Sequence, residues 1–156
     1  MNIFIIDPYN QAIAERQIPG QKTSAMNPIR HIMDTFCFRP QPGLEGYDLL
    51  LINPDEIYHY DSAAFRYQEN LYAFGAAIII GYDPYNDCLV DPTVNMETLQ
   101  RNIQFLSVED SNAIGSDIRL GVAESSIFQT RPFIRGGKLY KGQESIFEEL
   151  VNPRDN

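Results

Sequence analysis

The sequence predicts an α+β fold: a mixed or antiparallel sheet with two packed helices and a C-terminal hairpin-helix appendage. Three observations carry the prediction. Short, wholly apolar runs recur at 3–6, 49–52 and 76–80, each followed by a turn residue, which is how strands buried on both faces read. Two other stretches, near 27–37 and 95–107, place apolar residues at helical spacing. Towards the end, Gly136-Gly137 separates Phe133-Ile134-Arg135 from Lys138-Leu139-Tyr140, and a glycine pair tolerates the positive φ angles of a two-residue hairpin.

Residues 2–7 open the chain as a strand, apolar on both faces and therefore interior to the sheet. Residues 12–18 read as its hairpin return, stopped by Pro19-Gly20. Asn27 is expected to cap a helix with Pro28 at its first position, and Ile29, Ile32, Met33 and Phe36 supply the stripe. The stretch Arg39-Pro40-Gln41-Pro42-Gly43 is expected to break the chain. Residues 48–53 form a second buried strand, and 57–60 and 65–67 are shorter, more polar candidates. Residues 74–82 give the strongest strand signal. Asp83-Pro84-Tyr85-Asn86-Asp87 is a dense turn, with 88–90 running back as its hairpin partner. Thr93 or Asn95 can cap a helix striped by Met96, Leu99, Ile103 and Leu106. Residues 111–116 are small and polar, a loop or join, and 144–151 close the chain as a short amphipathic helix. The sequence shows no internal repeat. It reads as one domain over 1–156, with 111–156 as the appendage.

At 44% apolar residues the chain can bury a core. No apolar run reaches the roughly 18 residues of a membrane span, and the opening MNIFIIDPYN has no basic leader, so a cytoplasmic protein without a membrane partner is expected. Cys37 and Cys88 are too few for a disulfide framework or a four-thiolate zinc site. The formal net charge is −9, which argues against direct nucleic-acid binding and for neutral or basic partners. The stretch 45–110 holds twelve acids against two bases, Arg66 and Arg101, so the negative field originates in the middle of the chain.

Catalytic signals are weak. His31 and His59 are the histidines present, and Cys37 between Phe36 and Phe38 reads as a buried thiol. The acids and asparagine at 83, 86, 87 and 91 superficially resemble a calcium loop, but Cys88 replaces the sixth-position glycine and Val94 the twelfth-position glutamate. No glycine loop for phosphate or dinucleotide is present. The expectation is therefore no catalytic residue, no metal and no cofactor. The minority reading is a hydrolase or transferase using scattered acids and His59.

Nine tyrosines and no tryptophan occur, and two clusters interleave tyrosine with acid: Asp55, Glu56, Tyr58, Tyr60 and Asp61, then Tyr82, Asp83, Tyr85 and Asp87. Tyrosine supplies rigid contact area with a polar tip, and neighbouring acids steer a basic partner. These nine residues are the expected partner-binding surface. The alternative is a small-ligand, nucleotide-sequestering protein whose phosphate meets the basic hairpin at Arg131, Arg135, Lys138 and Lys141.

Several segments share a pattern: Ile6-Asp7-Pro8 closing the first strand, Ile52-Asn53-Pro54-Asp55-Glu56 after the second, and an aromatic at Phe65. Gly75-Ala76-Ala77-Ile78-Ile79-Ile80-Gly81-Tyr82-Asp83 and an amphipathic helix over 97–106 complete it. Across roughly residues 1–106 the chain resembles a family of small uncharacterised proteins carried by bacteriophages, plasmids and their bacterial hosts. The resemblance implies a mobile-element setting, in which some such proteins oppose host defence or regulate host machinery. It brings no catalytic residue. The expected function is a non-enzymatic accessory or inhibitor protein of a mobile genetic element that binds a host protein with a basic surface, such as a defence component.

Overall fold

The computed structural model describes residues 1–20, 22–35, 38–59, 61–69 and 71–120, with the backbone alone for 22–26. The predicted hairpin and final helix, including Arg131, Arg135, Lys138 and Lys141, lie outside the described residues, as does Tyr60.

Strand β1 (Asn2–Asp7) returns as β2 (Ala12–Gln17), and helix α1 (Lys22–Met33) follows. Strands β3 (Arg39–Pro42) and β4 (Leu49–Ile52) lead to a 3-10 turn at Glu56–Tyr58. Then come β5 (Ala64–Tyr67), β6 (Leu71–Phe74), β7 (Ala77–Asp83), β8 (Cys88–Val90), α2 (Met96–Asn102), β9 (Ile103–Phe105) and α3 (Val108–Arg119). The fold is α+β with antiparallel strand pairings throughout: one sheet runs β2-β1-β7-β4-β3 with β8 on the outer part of β7, and a second runs β6-β5-β9.

Side chains alternate across a strand, so each apolar run feeds two cores at once. Ile3, Leu49, Leu51, Ile78 and Ile80 project to the face that Ile29 and Met33 of α1 cover. Phe4, Ile6, Leu50, Ile52 and Ile79 project to the other, against Phe65 and Tyr67 of the second sheet and Leu99 of α2. The register agrees, since Ile79 lies opposite both Phe4 and Leu50 while Ile78 lies opposite both Ile5 and Leu51. Each such side chain stabilises the fold by about 2 kcal/mol on leaving water, which is why β7 is buried from Ala77 to Tyr82.

Several expectations are corrected. Helix α1 begins at Lys22 and carries Pro28 inside it, so Asn27 is no cap; the fixed φ of proline is itself helical, and the ring removes one hydrogen bond without forbidding the helix. The proline-rich break at 39–43 contains β3. Gly43 N–H donates to Asp48 O, so the odd-numbered residues face β4 and both prolines face the open edge, where a missing donor costs nothing and discourages further pairing. Of the strand expected at 57–60, Ile57 and Tyr58 lie in the 3-10 turn instead. The strand expected over 74–82 is two, split at Gly75, whose φ of 74° interrupts extended backbone. Asn95 does cap α2, accepting from Thr98 N–H, but the helix stops at Asn102 because Ile103 pairs with Tyr67. The stretch 111–116 is helical, within α3: Ser107 accepts from Asp110 N–H as the cap, and Ile114 and Ile118 pack on Ile57 and Phe74. The appendage boundary at 111 thus falls inside a helix that packs on the core.

Candidate functional site

The two hairpins that flank β1 and β7 turn on the same four residues, Asp-Pro-Tyr-Asn, at 7–10 and at 83–86. In the first, Asp7 accepts from the N–H groups of Tyr9 (3.0 Å) and Asn10 (3.2 Å) and from the Asn10 amide (2.7 Å). In the second, Asp83 accepts from Tyr85 N–H (2.9 Å), Asn86 N–H (3.3 Å) and the Asn86 amide (2.7 Å). The residue after each, Gln11 or Asp87, has positive φ (52° and 48°). This short identity is present in the sequence, where no repeat was expected. Its effect is to lock each turn and leave the tyrosine pointing outward. The amide of Asn86 and the N–H of Tyr85 hold the Asp83 carboxyl below its ordinary range.

Because β1 and β7 are antiparallel, the turns sit at opposite ends of the sheet, about 20 Å apart along a seven-residue strand. Strand β4 ends beside the start of β7, which brings the loop after it to the same end as the first turn. There Tyr9, Glu56, His59 and Ser62 meet. Ser62 Oγ donates to the Glu56 carboxylate (2.9 Å) and lies 2.8 Å from the Glu56 carbonyl. Tyr9 Oη reaches the same carboxylate at 3.5 Å, and His59 Nδ1 stands 3.6 Å from it. Burial of the hydroxyl end raises the Tyr9 phenol above its ordinary value, with Ser62 opposing and Glu56 reinforcing. The carboxylate stands between serine and histidine, whereas a serine nucleophile needs the histidine in the middle. As built, the group is a carboxylate hub that holds the 3-10 turn. Gly75 makes room for it, since a Cβ there would lie 2.6 Å from Glu56 Cγ.

Of the nine residues expected to form one surface, the structure gathers Asp55, Glu56, Tyr58 and Asp61 at this end, with Tyr58 65% exposed. Tyr9, which the sequence reading passed over, joins them; the repeated tetrapeptide was the signal that could have found it. Asp83, Tyr85 and Asp87 are at the far end, where Tyr85 is 86% exposed and meets Tyr47 edge-on at 6.5 Å between centroids. Tyr82 is not a surface residue at all: it is 4% exposed, lies in the α1-side core and donates to Asp87 at 2.6 Å. The expected continuous patch is therefore two patches, separated by the antiparallel register of β4 and β7.

A third polar feature is internal. Asp48 is buried and accepts from the N–H groups of Thr93 and Val94, both at 2.8 Å, tying the approach to α2 onto the start of β4. Tyr67, 1% exposed, has its hydroxyl unpartnered, and burial together with the Asp48 charge raises its phenol strongly. Among the described residues no group of His, Cys, Asp or Glu could hold a metal ion, and no helix is long and apolar enough to cross a membrane. No protein-family model, curated protein or solved structure matches the chain.

Proposed function

We propose that the chain is a binding module, without catalysis of its own, that takes a protein partner with a basic surface at the end of the sheet formed by the first turn and the 3-10 turn. One observation carries the reading: Tyr9, whose hydroxyl reaches Glu56, and Tyr58, on the same 3-10 turn as Glu56, are both exposed, Ser62 holds Glu56 in place, and Asp55 and Asp61 are exposed nearby in the chain. Rigid tyrosines give contact area at little entropic cost, and exposed carboxylates speed encounter with a cationic partner. In the mobile-element setting that the resemblance implies, the partner is a host protein and the module an accessory or inhibitor of it.

The test is capture of partners from host lysate by the intact chain and by the variants Asp55→Lys/Asp61→Lys and Tyr85→Ala. The expected result is a partner lost on charge reversal and at high salt but kept by Tyr85→Ala. Capture indifferent to both salt and charge reversal would remove the proposal.

A further inference from the structure

We infer that the chain pairs with a second copy of itself along the open edge of β2, the two strands running antiparallel about a two-fold axis at Ala14. The contact does not rest on the proposed function. The two outer strands of the larger sheet differ in kind. At β3, Pro40 and Pro42 close the edge to further pairing. Strand β2 runs six residues, Ala12–Gln17, without proline or glycine, and among the described residues it pairs with β1 alone. Every position but Ile13 is exposed, so both faces beside the edge are clear. Met1 and Ile18 exchange both backbone bonds (Ile18 N–H to Met1 O, 2.8 Å; the Met1 amino group to Ile18 O, 3.0 Å), so Arg16, Ala14 and Ala12 also bond to β1. Ile13, Glu15 and Gln17 therefore turn their N–H and C=O groups outward, a row that templates another strand.

Charge selects the register. Antiparallel self-pairing centred on Glu15 sets two carboxylates directly opposite, and centred on Arg16 two guanidinium groups, both of which destabilise. Centred on Ile13 or Gln17, a single residue pair within the strand keeps the hydrogen-bonding phase. Centred on Ala14, Ile13 and Glu15 of each copy exchange both backbone bonds with Glu15 and Ile13 of the other, and no like charges meet. The small side chains of Ala14 face each other at the axis. On that same face Arg16 of one copy, Ala12 of the other and Asp7 beside Ala12 fall in one row, about 10 Å between the outer Cα atoms. The guanidinium then extends over the alanine methyl towards the Asp7 carboxylate. The two-fold axis makes this contact twice, so a second copy brings the charge complement with it by symmetry.

The experiment follows the full chain by sedimentation velocity and amide exchange from about 10 µM to about 1 mM. The expected result is a monomer–dimer equilibrium in which rising concentration slows exchange at Ile13 and Glu15. Gln17 should stay fast, because it falls opposite Gln11, whose φ of 52° has left the extended strand. Glu15→Pro removes an outward donor, as the prolines of β3 do, and should weaken association at least about tenfold. Arg16→Glu leaves the backbone intact, so it serves even if the proline variant does not fold, and should weaken association about fivefold. In a Cys37→Ala/Cys88→Ala background, Ala14→Cys should oxidise to a disulfide-linked dimer, since facing residues of a non-hydrogen-bonded pair stand about 4.5 Å apart, whereas Glu15→Cys should not. A chain monomeric throughout, association indifferent to both edge variants, protection of Gln17 along with Glu15, or cross-linking at 15 in place of 14 would each overturn the inference. So would Ile13 and Glu15 amides protected equally at every concentration, which would mean that the edge is covered within one copy.

Discussion

Asp7 and Asp83 open two turns of identical sequence, and each carboxylate accepts from the N–H groups two and three residues on and from the asparagine amide. The same local chemistry is thus used once at each end of an antiparallel pair, which is how a small sheet comes to present tyrosines in two directions.

Asp83 makes the pH consequence testable. Its carboxyl titrates below the ordinary 3.8 because Asn86 and the Tyr85 N–H favour the charged form. A group depressed on folding stabilises the fold above its unfolded value, and that contribution disappears as pH falls through the lower folded value. Asn86→Ala should move the Asp83 titration, followed by carboxyl-carbon NMR, up towards 3.8. Thermal melts should then lose part of their acid dependence in that window. An unmoved titration would show that the amide contact does not form in solution.

Gly75→Ala should destabilise the fold by about 1–2 kcal/mol for the left-handed backbone alone. The new Cβ also meets Glu56, at 2.6 Å from Cγ, and should release the Ser62 and Tyr9 contacts. Urea unfolding of Gly75→Ala/Glu56→Ala should recover the collision but not the backbone penalty, so the two costs separate. Equal stability of Gly75→Ala and the parent chain would contradict the account.

Asp48→Ala leaves the buried N–H of Val94 and the part-buried N–H of Thr93 without their acceptor, at a cost of about 2 kcal/mol. Amide exchange at those two positions should accelerate well ahead of exchange in β7. Exchange that speeds up uniformly would instead mean global loosening.

The Tyr47–Tyr85 pair is exposed, so either single alanine substitution should cost no more than about 1 kcal/mol, most of it the lost ring contact. A double-mutant cycle should nevertheless show coupling of about 0.5–1 kcal/mol, the increment of an edge-on aromatic contact. Zero coupling would mean that the rings do not meet in solution.

Much of the architecture is legible in residue order. The runs at Ile3–Ile6, Leu49–Ile52 and Ala77–Ile80 are strands because nothing but burial on both faces explains so many consecutive apolar residues. Asn95 and the 83–87 turn are equally visible, since capping and Asx geometry are local. Pro40 and Pro42 misled because proline breaks central strands yet suits the outer edge of β3, and edge status is a property of the assembled sheet. Ile103 and Leu106 fit a helical stripe, but pairing with β5 took Ile103 into a strand.

Residue order by itself determined an acidic α+β chain whose buried strands, locked turns and tyrosine-acid segments can be read from neighbours in sequence. Tertiary structure alone decided where those segments face. Antiparallel pairing of β4 with β7 sends the loop after one and the turn after the other to opposite ends and brings Tyr9 to Glu56 across 47 positions, while Tyr82, opposite Leu89, is buried in the α1-side core. Strand direction and register are set by which apolar faces close together, a relation between distant segments that no local pattern encodes.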